Sequence, residues 1–304
     1  MNVIINAECS TFGPAGGRTC VYKTSKRVMD NIVVLLLAGF VIGTVGTLIG
    51  AGGGFILVPV LILTHPGLSP DTITAISIAI VAANALSGSI AYARSGRIDF
   101  KAGIVFALFT IPGSILGVYT TSYIPKTAFH FVFGILLIAL ALFLFLSNKK
   151  LRPHPAKDLT AHNGIKHHIL TDKEGLTYEY AYNQYTGIVI SILVGYLSPL
   201  LGIGGGIIHV PALVNWLHFP VYVATATSHF ILAVMSTVSV VTNIIKGSYS
   251  DPYVLRMVLG LSAGVVAGAQ LGALLSHKIK GHSIIRALAA CLAIVGIRIL
   301  VSAL

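Results

Sequence analysis

Charge is what this sequence has least of. Aspartate, glutamate, lysine and arginine make up 10% of its 304 residues, where a soluble domain carries about 25%. Hydrophobic residues make up 55%, and the mean hydropathy is +0.89. That shortage excludes an ordinary soluble enzyme, because the apolar residues fall in blocks long enough to cross a bilayer. Acidic residues are scarcest of all. The nine (Glu8, Asp30, Asp71, Asp99, Asp158, Asp172, Glu174, Glu179, Asp251) sit in tails, loops or helix ends. Cation and proton carriers commonly hold a carboxylate within the membrane, and no apolar block here offers one. The pattern suits passage of an anion.

Cysteine is also rare. Cys9, Cys20 and Cys291 have no metal-ligand spacing, and an odd count argues against a full disulfide framework. No secretory signal is recognisable, since the first apolar run continues well beyond a signal core. The net charge is +11, but the basic residues lie between apolar blocks and form no continuous stripe for nucleic acid. They read as cytoplasmic loops of a multi-pass protein of the cell membrane.

What is present is an all-α membrane protein of about eight transmembrane helices. The candidate spans are 32–50 (continuing to 63), 72–93, 102–122, 128–147, 186–203 (continuing to 217), 222–245, 254–276 and 283–302. Residues 1–30 read as a disordered tail, and Met29 opens "MDNIVVLLLAGF" like a natural start, with 1–28 as an upstream extension. Residues 31–147 and 184–304 form two four-helix halves, and 148–183 is a polar linker. The halves resemble copies. Gly43 aligns with Gly195, Gly50 with Gly202, Pro59 with Pro211, Ser77 with Ser228 and Gly96 with Gly247. Such duplication is a ground plan of secondary transporters, with substrate bound where the repeats meet. The copies are parallel if each contributes an even number of crossings, and not otherwise. With the N-terminus in the cytoplasm, most lysines and arginines fall inside, leaving Lys126, Lys278, Lys280 and Arg286 outside. Both termini and the linker are therefore expected to be cytoplasmic.

Each half interrupts its first apolar segment with adjacent glycines, Gly52–Gly53–Gly54 and Gly204–Gly205–Gly206. Small residues that let helices approach explain Gly39–Gly43, Gly113–Gly117 and Gly264–Gly268–Gly272, which recur every fourth position. Three adjacent glycines do not fit that spacing. A soluble dinucleotide loop needs a preceding strand and an amphipathic helix, whereas both flanks here are membrane-apolar. The remaining reading is unwound backbone inside the membrane, tolerated only where protein or a cavity satisfies it. Such a break bares helix N-terminal N–H groups suited to an anion. Pro59 and Pro211 limit helical hydrogen bonding just beyond.

Few other polar residues lie within the apolar blocks. His209 and His229 are either core histidines or proton-sensitive elements near a site. Ser77, Thr227 and Ser228 are candidate hydroxyl donors, while Asn84, Asn243 and Gln270 read as interhelical hydrogen-bond partners. The linker histidines His154, His162, His167 and His168 lack a metal-site pattern and read as part of a flexible solvated tract.

The doubled motif "GAGGGFILVP" and "GIGGGIIHVP", with "AISIAI" and "SGSIAYARSGRID" following the first, resembles the sulfite exporter TauE/SafE family, also called the 4-toluene sulfonate uptake permeases. The resemblance covers about residues 30–303. It implies a membrane carrier for sulfite, sulfoacetate or organosulfonate anions, driven by protons, with no cofactor and no enzymatic activity. Carried over by position, Gly50, Gly52, Gly53, Gly54 and Pro59 match the first motif, and Gly202, Gly204, Gly205, Gly206 and Pro211 the second. The linker is longer and more charged than in the family, and Ile76 stands where many members have threonine. The expected partners are a small anion and the lipid bilayer; a passive anion channel or a membrane receptor is the alternative.

Overall fold

The computed structural model describes residues 7–10, 19–22, 31–147, 165–276, 293–294 and 296–300, without side chains at 7–10, 19–22 and 143–147. The chain is mostly helical: α1 (Ile32–Ile49), α2 (Gly54–Thr64), α3 (Pro70–Ser95), α4 (Phe100–Thr121), α5 (Lys126–Ser147), α6 (Gln184–Leu201), α7 (Gly206–Asn215), α8 (Val221–Ile245) and α9 (Pro252–Leu275). Two antiparallel pairs accompany them, β1 (Ala7–Ser10) with β2 (Thr19–Tyr22) and β3 (Ile165–Thr171) with β4 (Thr177–Asn183). The tail and the linker thus hold strands where the sequence suggested none. Among the described residues, α1, α3, α4, α6, α8 and α9 are long and apolar enough to cross a membrane. Most of the eighth expected span lies outside the described residues.

Local chemistry starts these helices cleanly. Asn31, Ser69, Asp99, Asn183 and Asp251 each cap an N-terminus, accepting a backbone N–H from the first turn. These caps satisfy donors that a helix start otherwise leaves bare.

The glycine tracts reverse the chain. Gly53 packs against Ile42 and Gly46, and Gly205 against Val194 and Ser198. In a continuous helix Ile42 and Gly53 would stand about 16 Å apart. With 11 and 10 residues, α2 and α7 reach about 15–17 Å, half of a ~30 Å hydrocarbon core. They are half-crossing arms folded back along α1 and α6.

Direction follows from side-by-side contacts. Gly39 and Gly43 of α1 lie against Leu261 and Val265 of α9, so these two helices run together. Gly113 and Gly117 of α4 lie against Gly195 and Tyr196 of α6, so these also run together. At one end of the bundle, Asp71 at the start of α3 meets Ser122 after α4 and Lys246 after α8, at 3.1 and 2.8 Å. His65, after α2, bonds Tyr253 at the start of α9 at that same end. Consequently α1 leaves this end while α6 approaches it. The two broken helices are antiparallel, so the condition for parallel copies fails.

The same geometry sets the place of the linker in the bundle. Because α1 and α2 together return the chain to its starting end, α3, α4 and α5 carry it across before the linker. The β3–β4 hairpin accordingly docks at the opposite end, where Lys173 N–H donates to the Ser95 carbonyl at 3.1 Å. The start of α1 and the linker cannot share one face.

Candidate functional site

At the first tract, α1 ends on Gly50, and the N–H groups of Ala51 and Gly52 return to the Gly46 carbonyl at 2.8 and 3.2 Å. Gly50, Gly52 and Gly53 have φ of 77°, 78° and 85°, and Gly202 and Gly204 have φ of 68° and 73°. A residue with a β-carbon resists that left-handed region by about 1–2 kcal/mol. Gly205 differs, with φ −55° as the cap of α7. Gly54 and Gly206 open the arms in ordinary helical backbone, and their reason is contact. A methyl on Gly54 would strike the Gly202 carbonyl oxygen, and one on Gly206 the Gly50 carbonyl oxygen. The two tracts therefore touch each other, reciprocally and at backbone distance.

The flanking residues are less symmetric. Ser77 Oγ donates to the Gly202 carbonyl at 2.5 Å, tying α3 to the second tract. Its counterpart Ser228 is fully buried on α8, and its Oγ has no partner. For Ser77→Ala we expect a stability loss of about 1–2 kcal/mol, read from denaturant unfolding in detergent. Thr227 does not face a tract, because its Oγ1 accepts the Asp99 N–H at 3.0 Å at the head of α4. Pro59 and Pro211 lie inside α2 and α7, where each frees the carbonyl four residues earlier.

The histidines also part company. His209 is buried between α6 and α7, with Nε2 3.3 Å from Ser191 Oγ. His229 is fully buried against Gly88 and edge-on to Tyr92, with 5.6 Å between ring centroids. It lies beside the Gly50 backbone, yet neither ring nitrogen makes a hydrogen bond of normal geometry.

Asn84 completes this group. Its Oδ1 accepts from Thr47 Oγ1 at 2.6 Å, while its Nδ2 is fully buried without a partner. That amide and the Gly53 N–H both abut the place a Gly46 side chain would occupy. Tyr92 closes the cluster, its hydroxyl donating to the Thr47 carbonyl at 2.9 Å. Among the described residues, no loop or cap backbone bond uses the N–H of Gly53, Gly54 or Phe55. The arm's N-terminus and the Asn84 amide thus converge at the first tract, with His229 beside Gly50; Ser228 stands on α8 between Thr225 and Leu232, which pack against Gly50 and Gly52. The sequence marked Asn84 only as a helix-to-helix partner; its one signal was a carboxamide in an apolar stretch.

Charged groups gather elsewhere, under the hairpin. Asp99 accepts from the Tyr180 hydroxyl at 2.7 Å and pairs with His168 at 2.8 Å. Arg97 pairs with Asp172 at 3.2 Å and Glu174 at 3.0 Å. Burial pushes the Asp172 carboxyl up, but the Leu176 N–H, the Arg97 guanidinium and the Glu174 N–H outweigh it and hold it below the usual carboxylate range. Tyr180 and Tyr182 pack at a tilt against Phe219, 4.6 and 5.0 Å between centroids. The described part of the linker is therefore docked on the bundle, and His168 hydrogen-bonds Asp99.

Six apolar crossings among the described residues and two half-crossing arms fit a multi-pass membrane protein, and the comparisons with known proteins give its class as a membrane transporter. The chain matches the sulfite exporter TauE/SafE family over residues 35–299 and belongs to that family. It is 33% identical over 276 residues to the probable membrane transporter protein YunE of Bacillus subtilis, covering 89% of this chain and 97% of that protein. It is 26% identical to the probable membrane transporter protein MJ0441 of Methanocaldococcus jannaschii, covering 91% and 98%. A further B. subtilis relative, the probable membrane transporter protein YdhB, is 23% identical, covering 78% and 89%. No solved structure matches the chain.

Proposed function

We propose that this chain is a secondary carrier that moves a small sulfur-containing oxyanion through alternating access of two inverted repeats. The observation carrying this reading is the reciprocal contact of the glycine tracts beside buried donors that lack protein partners. Exchange of corresponding elements supports the repeats: α1 packs along α9 as α6 packs along α4, and α3 crosses α8 at the centre. Inverted repeats with broken helices pointing N-termini at anionic groups are an established carrier plan. The family's description as sulfite exporters supports sulfite, sulfoacetate or an organosulfonate as cargo.

The bound anion would meet Gly53, Gly54 and Phe55 N–H, Asn84 Nδ2 and Ser228 Oγ. The second tract, with Gly202, Gly204, Gly205 and Gly206, would serve as the surface against which the first moves. Of the two histidines, His229 is the better proton-coupling candidate, since His209 already engages Ser191. The linker end carries Arg94, Arg97, Lys101, Lys166 and Lys173 against Lys126, Lys246 and Arg256 at the other. That bias favours a cytoplasmic linker, and hence an α1 that starts outside.

Saturable counterflow of sulfite in proteoliposomes is the expected result, whereas flux that follows only the electrochemical gradient would indicate a channel. His229→Ala should fold normally and lose the pH dependence of transport between about pH 5 and 8. An unchanged pH profile would remove that role.

A further inference from the structure

We infer that Lys246 and Asp71 form the gate at the end of the bundle opposite the linker, and that the β3–β4 hairpin bolts the corresponding gate at the linker end. This rests on the alternating-access reading above and adds the residues that open and close each side. The starting point is an internal symmetry in what covers the tracts. Asp71 and Thr74 on α3 are separated from Tyr222 and Thr225 on α8 by the same spacing as Gly96 from Gly247. Thr74 lies against Gly202 of the second tract, and Thr225 against Gly50 of the first. Both threonines are buried, and so are both tracts. One helical turn outward from each threonine, a cation closes the approach. Lys246, beside Gly247, donates to Asp71 Oδ1 at 2.8 Å, Ser122 Oγ at 2.6 Å and the Val118 carbonyl at 3.2 Å. Arg97, beside Gly96, stands 5.9 Å from the centre of the Tyr222 ring. Each cation belongs to one repeat and the helix start it covers to the other. Parting the repeats at either end therefore breaks that contact.

The two closures differ in strength. The Lys246 and Asp71 side chains are 15% and 30% exposed, and a pair that water reaches holds weakly. The Tyr249 hydroxyl adds one bond across that end, to the Ala75 carbonyl at 2.9 Å, and His65 adds another to Tyr253. At the linker end the hairpin spans both repeats. Its Asp172 and Glu174 hold Arg97, and its Tyr180 and His168 hold Asp99, all on the turn between α3 and α4. Its Tyr180 and Tyr182 also pack against Phe219, between α7 and α8. Opening there must break a buried ion pair, which is far more costly than breaking one in contact with water. The end closed by Lys246 consequently opens first, and the hairpin sets that order.

The test uses the full chain in lipid nanodiscs, where both ends meet the solution. Thr74→Cys and Thr225→Cys serve as reporters beneath the two gates. Each is labelled with a charged maleimide and read by peptide mass spectrometry, with the native cysteines left in place. The Thr74→Cys reporter should label faster than the Thr225→Cys reporter. Adding Lys246→Met should speed labelling at position 74 about tenfold and slow it at 225, because a two-state carrier opens one side at the expense of the other. Asp71→Asn combined with Lys246→Met strands no charge, so it guards against misfolding and should give the same reciprocal change. Asp71→Lys with Lys246→Asp should return both rates toward their starting values, a rescue that lost packing would not give. Labelling that is unchanged, or faster at both positions, overturns the gate alone, provided the unaltered protein shows saturable sulfite counterflow in proteoliposomes. Absence of that counterflow overturns the carrier reading and this inference with it.

Discussion

Gly206→Ala is expected to abolish transport and to destabilise the protein by about 3 kcal/mol, the upper end of ordinary overpacking. The added methyl would meet the Gly50 carbonyl oxygen and the Ala51 Cα, both backbone atoms of the opposing tract. A side chain could rotate away; a carbonyl held between two helix ends cannot. Relief would require the arms to separate, and interiors packed to crystal density resist such shifts. Gly54→Ala should behave alike, since its methyl would meet the Gly202 carbonyl from the other side. Gly67→Ala is the control, because nothing lies within 4 Å of its added methyl. Thermal unfolding in detergent, with counterflow in parallel, checks all three. A Gly206→Ala protein as stable and active as Gly67→Ala would mean that the tracts do not touch.

Arg97→Ala should release the β3–β4 hairpin from the bundle. Arg97 is 4% exposed and Asp172 5%, so truncation strands a buried carboxylate. Removing one partner of a buried pair costs about 3–5 kcal/mol. Hydrogen exchange across residues 165–183 should then accelerate at least ~100-fold, while α3 and α8 keep their protection. Exchange unchanged by Arg97→Ala would show that the tyrosine cluster alone holds the hairpin. The pH dependence has a definite sign. Asp172 is held below its ordinary value, so its contribution is full above that value and lost as pH falls through the lower folded one. On account of this group, docking persists at neutral pH and loosens only in strong acid.

The glycine tracts and the apolar spans were legible in the sequence because both are local patterns. The direction of the chain after each tract was not. Apolar residues continue from Gly54 to Leu63 and, but for His209 and Asn215, from Gly206 to Leu217, and that run reads the same whether it goes on or folds back. What decides is left-handed backbone at Gly50, Gly52 and Gly53, which composition does not reveal. The linker misled through its charge. Its alternation at Tyr178, Tyr180 and Tyr182 is a strand signal, and Asp172 builds the turn by accepting the Glu174 and Leu176 N–H groups at 3.0 and 2.9 Å. Thr227 matches the motif by position, and its bond to a neighbouring helix start was not legible there. Asn84 was read as a helix-to-helix partner and is one, but its partner Thr47 went unmarked, since the two bond across helices far apart in sequence.

An experimental density map of the protein prepared with methanesulfonate tests the account most directly. It should show both arms folded back, Gly54 against Gly202 and Gly206 against Gly50, with anion density among Asn84, Ser228 and the first turn of α2. Helix running unbroken through residues 50–54 and 202–206, or an anion bound instead beside Arg97, would contradict it.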